Sequence, residues 1–180
     1  MLSRSPKSVL DIGCGEGWLA RELSGRGIDV LGIDVTAQLI EEAQRAGGGQ
    51  FRTASYEDIA AGRVTASVDV AVCNFALLGK ESVDSLFRSI PSLLNHHGSF
   101  IVQTLHPIMA CGDGPYRDGW REGSWNGFAS EFTDPAPWYF RTLESWVRLF
   151  TEQTLRMLDL REPLHPQTGK PASIIFLAGK

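Results

Sequence analysis

The residues whose types and spacing could do chemistry begin with Asp11-Ile12-Gly13-Cys14-Gly15-Glu16-Gly17. Three glycines at alternate positions let the main chain reach positive φ and let a ligand approach bare backbone. Such a run serves either as a cradle for a small ligand or as no more than a tight corner between strand and helix. Asp34 follows roughly 20 residues on, where doubly wound nucleotide-binding folds set an acidic residue to accept ribose hydroxyls. Its bland alternative is a strand-end Asp or a helix cap. The dinucleotide pattern Gly-x-Gly-x-x-Gly is not met, because the third glycine comes one residue early and Trp18 stands in its place. A pyrophosphate site is thereby disfavoured.

Two further groups are candidates. His106 precedes Pro107, and its imidazole could take a proton from an acceptor near neutral pH, or could simply shape a turn. Tyr116 to Trp125 and Pro137 to Phe140 crowd aromatic residues among glycines and charges. Trp120, Arg121 and Tyr139 are the substrate candidates there. The same segment could instead be an accessory core under a long loop or a subunit interface. His96-His97 has no acidic or Cys partner near it in sequence, so it reads as a solvated turn, and no metal site is expected.

The elements that must position these residues alternate regularly. Ser8–Ile12 reads as a strand and Trp18–Leu23 as a helix. Ile28–Asp34 is a second strand, and Thr36 a plausible N-cap for a helix over Ala37–Arg45. Gln50–Ala54 is a weaker strand, and Val68–Cys73 is apolar enough to be buried on both faces. Ser82–Leu94 reads as a helix leaving through a turn at Asn95–Gly98, and Ser99–Leu105 as the next buried strand. From about 106 to 140 the regularity fails, which predicts an irregular lid or substrate segment. Thr142–Glu152 then reads as a helix, and Leu155–Arg161 and Ser173–Ala178 as a terminal strand pair. The expected architecture is a single α/β domain over residues 1–180, Rossmann-like and doubly wound, with a mostly parallel sheet and an antiparallel terminal strand.

Val9 to Gly17, taken with Asp34 and Val68–Leu78, resembles the cofactor-binding part of the class I S-adenosylmethionine-dependent methyltransferases. That resemblance implies seven strands in the order 3-2-1-4-5-7-6, with Ser173–Ala178 as the antiparallel seventh. It implies S-adenosylmethionine as cofactor and S-adenosylhomocysteine as product. Gly13, Cys14, Gly15 and Gly17 would face the methionine portion and ribose, and Asp34 the ribose hydroxyls. Ser55, Tyr56 and Glu57 would lie in the loop that follows the third strand and contacts the adenine, and Asn74, Phe75 and Ala76 would form the lip beside the sulfonium. Asp11, Trp18 and Val35 border these positions and are counted with them. Seven residues precede Ser8, where the family usually carries a covering helix, so part of that cover is expected to be missing. Asn74-Phe75-Ala76-Leu77 departs from the Asn/Asp-Pro-Pro-Tyr signature of exocyclic-amine methylases, which leaves a small-molecule acceptor.

Composition narrows the remaining classes. A net charge of −4 with scattered Lys and Arg offers no stripe for phosphates, so no nucleic-acid partner is expected. No apolar run approaches the roughly 20 residues of a membrane span. Three Cys without paired spacings fit a reducing cytoplasm, with the protein a monomer or homodimer. The expected function is methyl transfer to a small molecule. The alternatives are a non-catalytic S-adenosylmethionine- or S-adenosylhomocysteine-binding module and an NAD(P)-dependent oxidoreductase.

Overall fold

A computed structural model describes residues 6–123 and 136–180. Its elements run β1 (Ser8–Ile12), α1 (Trp18–Ser24), β2 (Asp29–Asp34), α2 (Ala37–Ala46), β3 (Gln50–Thr53), α3 (Tyr56–Ala60) and β4 (Val68–Asn74). They continue through α4 (Glu81–Leu93), β5 (Leu94–Leu105), α5 (Pro107–Cys111), β6 (Gly119–Arg121), β7 (Trp138–Phe140), α6 (Leu143–Glu152), β8 (Arg156–Arg161) and β9 (Ser173–Gly179).

Alternating side chains along β1 go to opposite faces of the sheet, Val9 to one and Leu10 with Ile12 to the other. A strand apolar on both faces has to sit inside, and β1 is flanked in parallel by β2 and β4. The full order is β3-β2-β1-β4-β5-β9-β8, with β9 antiparallel to both of its neighbours. This is the doubly wound seven-stranded sheet expected from the sequence, and it brings the carboxyl ends of β1, β2, β4 and β5 to one edge.

Residues of α1 and β3 pack with Val9, Val30, Val70 and Val72 on one face. On the other face α3, α4 and α6 cover a larger core that reaches from Leu10 to Phe176. At its centre Phe87 meets Phe100 and Phe150 edge-on, at centroid distances of 5.2 and 5.0 Å. Such pairs add about 0.5–1.5 kcal/mol each to the burial of their area.

Three local readings are corrected. Asn95–Gly98 is not a turn but part of β5, because Leu94 already pairs with Val68 and Ser99 with Val70, and the residues between bulge outward. Asn95 Nδ2 donates to Asp69 Oδ1 at 2.9 Å and fixes that bulge. Ser55–Glu57 is not loop but the start of α3, closed by a capping box between Ser55 and Asp58. The segment from His106 onward is not irregular throughout: it forms α5, and it forms an antiparallel ladder in which Trp120 faces Tyr139. Trp125, read with the same aromatic segment, lies outside the described residues.

Candidate functional site

The three glycines of the first turn all adopt positive φ, at 77°, 54° and 80° for Gly13, Gly15 and Gly17. Their reasons differ. A Cβ on Gly13 would run into that of Ala76, and one on Gly17 into the Phe51 ring at 2.7 Å, so both are required by packing. No described residue lies within 4 Å of where a Cβ on Gly15 would be, which leaves its main chain open to a ligand. The first half of the turn is pinned to the end of β2: the Gly13 and Cys14 amides donate to the Ile33 carbonyl at 2.8 and 3.0 Å. Asp34 completes the pinning, with Oδ2 accepting from the Gly15 amide at 3.0 Å and Oδ1 from Thr36 at 2.8 Å. Each carboxylate oxygen keeps a further lone pair for a ligand hydroxyl. Thr36 stands at the N-cap of α2, yet its own side chain makes no capping bond.

Beneath the turn, Asp11 is 1% exposed, and its Oδ2 finds no hydrogen-bond partner among the described residues. Burial, followed by the charge of Asp34, pushes its carboxyl up to about 7. Burial first, then Asp11 and Asp34, also pushes the Cys14 thiol up to about 12, so Cys14 is no nucleophile. Trp18 and Val35 are exposed on either side of the turn.

The second wall comes from α3 and the connection after β4. Ser55 is committed to its capping box, Glu57 is exposed, and the Tyr56 hydroxyl donates to the Ala76 carbonyl at 2.8 Å. Burial pushes the Tyr56 phenol up, so it stays a donor. Asn74 ends β4. Phe75 then takes a φ of 53°, unusual for a bulky residue, while its amide donates to the Gln103 carbonyl at 2.8 Å. That strained corner turns Phe75 outward, 46% exposed, and seats Ala76 against Gly13. Asp11, the glycine turn, Asp34, Tyr56 and Asn74–Ala76 are therefore assembled at one sheet edge.

The other candidates follow β5 in the chain; the imidazole of His106 is engaged at both nitrogens, whereas the buried Nε of Arg121 finds no partner among the described residues. His106 is buried; its Nε2 faces Glu162 Oε1 at 2.8 Å, and its Nδ1 accepts from the Ile108 amide at 3.3 Å. Since a carboxylate only accepts, Nε2 carries the proton and both nitrogens are occupied. Arg121 donates to the carbonyls of Pro115 and Arg117 and lies over the Phe140 ring at 5.0 Å, facing its own segment. Trp120, 55% exposed, and Tyr139 stack edge-to-face at 5.5 Å. The Tyr139 amide donates to the Leu78 carbonyl at 2.7 Å, which fastens β7 to the connection after β4. Arg141 and Glu162 were not foreseen. Their partners lie more than 50 residues away in sequence, so no local pattern reveals them.

Among the described residues no group of His, Cys, Asp and Glu side chains is arranged to hold a metal ion, and no helix is long and apolar enough to cross a membrane.

Comparison with known proteins bears on the same cradle. Ubiquinone biosynthesis O-methyltransferase of Paraburkholderia phymatum is 42% identical over 104 residues, which are 56% of this chain and 45% of that protein. Its counterpart in Cupriavidus pinatubonensis is 31% identical over 104 residues, 56% of this chain and 42% of that protein. The chain thus spans less than half the length of these curated relatives. Among solved structures, an S-adenosylmethionine dependent methyltransferase from Mesorhizobium loti superposes with a TM-score of 0.74 at 22% identity, over 96% of this chain and 90% of that one. The 1,6-didemethyltoxoflavin-N1-methyltransferase of Burkholderia thailandensis superposes with a TM-score of 0.67 at 19% identity, over 97% and 71%. These two likenesses concern the fold. A family model described as "Methyltransferase domain" matches residues 9–98, half of the chain and the half that builds the cradle: this protein belongs to the methyltransferase-domain family.

Proposed function

We propose that the protein transfers a methyl group from S-adenosylmethionine to a small-molecule acceptor. The observation that carries this is the open main chain at Gly15 bracketed by two carboxylates, one of which, Asp11, buries an oxygen without a partner among the described residues. A buried, unpaired acceptor is costly unless a ligand's donor satisfies it. S-adenosylmethionine offers suitable donors, an ammonium and two ribose hydroxyls, and when bound it supplies an electrophilic methyl on a sulfonium. Asp34 would accept the ribose hydroxyls, Asp11 would face the cationic end, and α3 with Asn74–Ala76 would close the adenine side.

In-line displacement asks the protein chiefly to align the acceptor and to exclude water. Phe75, Leu78, Ile108, Met109 and Trp120 are large, exposed and apolar, and they lie on the elements around the carboxyl ends of β4 and β5. They suit an apolar or ring-bearing acceptor, and the paired strands β6 and β7 act as the flap over it. An oxygen acceptor fits best with the names of the curated relatives. With both its nitrogens occupied, His106 serves this reaction by capping α5 rather than by taking a proton. The reading includes a single domain acting in the cytoplasm as a monomer or homodimer, where Cys14, Cys73 and Cys111 stay free thiols.

Calorimetry with S-adenosylhomocysteine and with NAD tests the cradle. Binding of the former and not the latter is expected, and no binding of S-adenosylhomocysteine sinks the reading. Turnover of labelled cofactor across phenols, catechols and heteroaromatic acceptors tests catalysis. Tight cofactor binding without incorporation into any of them favours a non-catalytic binding module.

A further inference from the structure

Arg141 is the most heavily engaged charged side chain among the described residues. It is 3% exposed and donates through Nη1 to the Gly79 carbonyl at 2.9 Å, and through Nη2 to the Lys80 carbonyl at 3.1 Å and to Asp84 Oδ1 at 3.0 Å. Its guanidinium also lies over the rings of Tyr139 and Trp146, at 4.9 and 5.2 Å from their centroids. A planar fork is the one side chain able to meet three acceptors and two rings at once; an ammonium cannot reproduce it. One residue therefore ties the aromatic flap to the far end of the connection Phe75–Lys80 and to the start of α4.

The near end of that connection belongs to the cofactor cradle. Tyr56 holds the Ala76 carbonyl, Ala76 packs on Gly13, and Phe75 is kept at positive φ by its bond to Gln103. The six residues Phe75–Lys80 are thus fastened at both ends, with Leu78 bonded to Tyr139 along the way and Tyr139 against Trp120. Such a strap has little freedom to absorb a displacement at one end without passing it to the other.

We propose that Arg141 is a positioning residue that couples occupancy of the cofactor cradle to the placement of the Trp120–Tyr139 flap over the acceptor. This rests on the methyl-transfer reading above. Contact continuity alone does not establish coupling, so the test measures it directly. S-adenosylhomocysteine is titrated into the wild-type protein, Trp120→Phe and Arg141→Lys, with affinity read by calorimetry and flap response by tryptophan emission. In each background, wild type or Arg141→Lys, the difference from the same protein carrying Trp120→Phe isolates the signal of Trp120. Binding of the nucleoside is expected to change that signal in the wild type. In Arg141→Lys the change should shrink by about fivefold or more, while affinity for S-adenosylhomocysteine stays within a few-fold. A merely structural role for Arg141 would lower affinity and response together. A silent Trp120 in wild-type protein that binds normally, or a full response in Arg141→Lys, overturns the proposal. Should Arg141→Lys not fold, Asp84→Asn removes one anchor of the guanidinium, and an undiminished response there overturns it equally. Failure of the wild type to bind S-adenosylhomocysteine brings down both this coupling and the function it rests on, an outcome distinct from normal binding with a silent flap.

Discussion

Asp11→Asn tests the electrostatics of the cradle most directly. The Asp11 carboxyl moves from 3.8 in the unfolded chain to about 7 in the fold, chiefly by desolvation and secondarily by the charge of Asp34. At about 1.4 kcal/mol per tenfold change in proton affinity, that corresponds to roughly 4 kcal/mol, an upper figure, between the two forms. The sign follows from which state holds the proton. The folded state binds it more tightly, so the contribution of Asp11 is fully present below pH 4 and is lost as pH rises through about 7. Asparagine cannot ionise, but its amide needs a partner in the same place, which costs about 1–3 kcal/mol. The net expectation at pH 8 without ligand is a variant more stable by roughly 1–3 kcal/mol, a rise in Tm of about 3–10 °C for a chain of this size. At pH 5 the gain disappears or reverses. Affinity for S-adenosylhomocysteine should fall about 10- to 100-fold at pH 8, because a charge-assisted bond is lost. Differential scanning fluorimetry of both proteins from pH 5 to 8, with calorimetry at pH 8, reads all of this. If the two Tm curves run parallel across the range, Asp11 is not the strained carboxyl described and the account of the cradle floor is wrong.

Other substitutions separate ligand space from packing. Gly15→Ala should fold with a loss of about 1 kcal/mol for its left-handed backbone, yet lose at least about tenfold in affinity for S-adenosylhomocysteine as its methyl enters the cradle; calorimetry against thermal unfolding distinguishes the two. Gly13→Ala, whose Cβ has no room beside Ala76, should instead be recovered poorly in soluble form or melt well below the wild type. Trp120→Ala should keep its Tm and its affinity for S-adenosylhomocysteine while turnover of an accepted substrate drops; a fall in Tm would mean the side chain is core instead. Phe87→Ala, at the hub of three buried rings, should cost about 3–5 kcal/mol in chemical denaturation without touching the cradle.

The cradle was legible in sequence because its parts are local: β1, the glycine turn and α1 follow one another, and Asp34 sits at the end of the very next strand. Backbone geometry demanded glycine there, and apolar alternation marked the strands on either side. The sheet order followed from the family resemblance, and the antiparallel β9 was found where Ser173–Ala178 was expected. The start of α3 was missed because its signal, Ser55 with Asp58 three residues later, is as short as the helix it opens. Asn95–Gly98 carried turn composition, but pairing with β4 overrode it.

Roles were harder to read than elements. His106 looked available as a base until Glu162, at the end of β8, was seen to occupy its Nε2. Arg121 looked like a substrate contact and Arg141 like nothing in particular, yet the first bonds within its own segment while the second joins three elements. Local pattern along the chain specified where backbone would bend, pair and bury, since those preferences act over a few residues. Which polar groups stay free for a ligand depends on partners tens of residues away, and only packing the sheet against α4, α6 and the flap decided that.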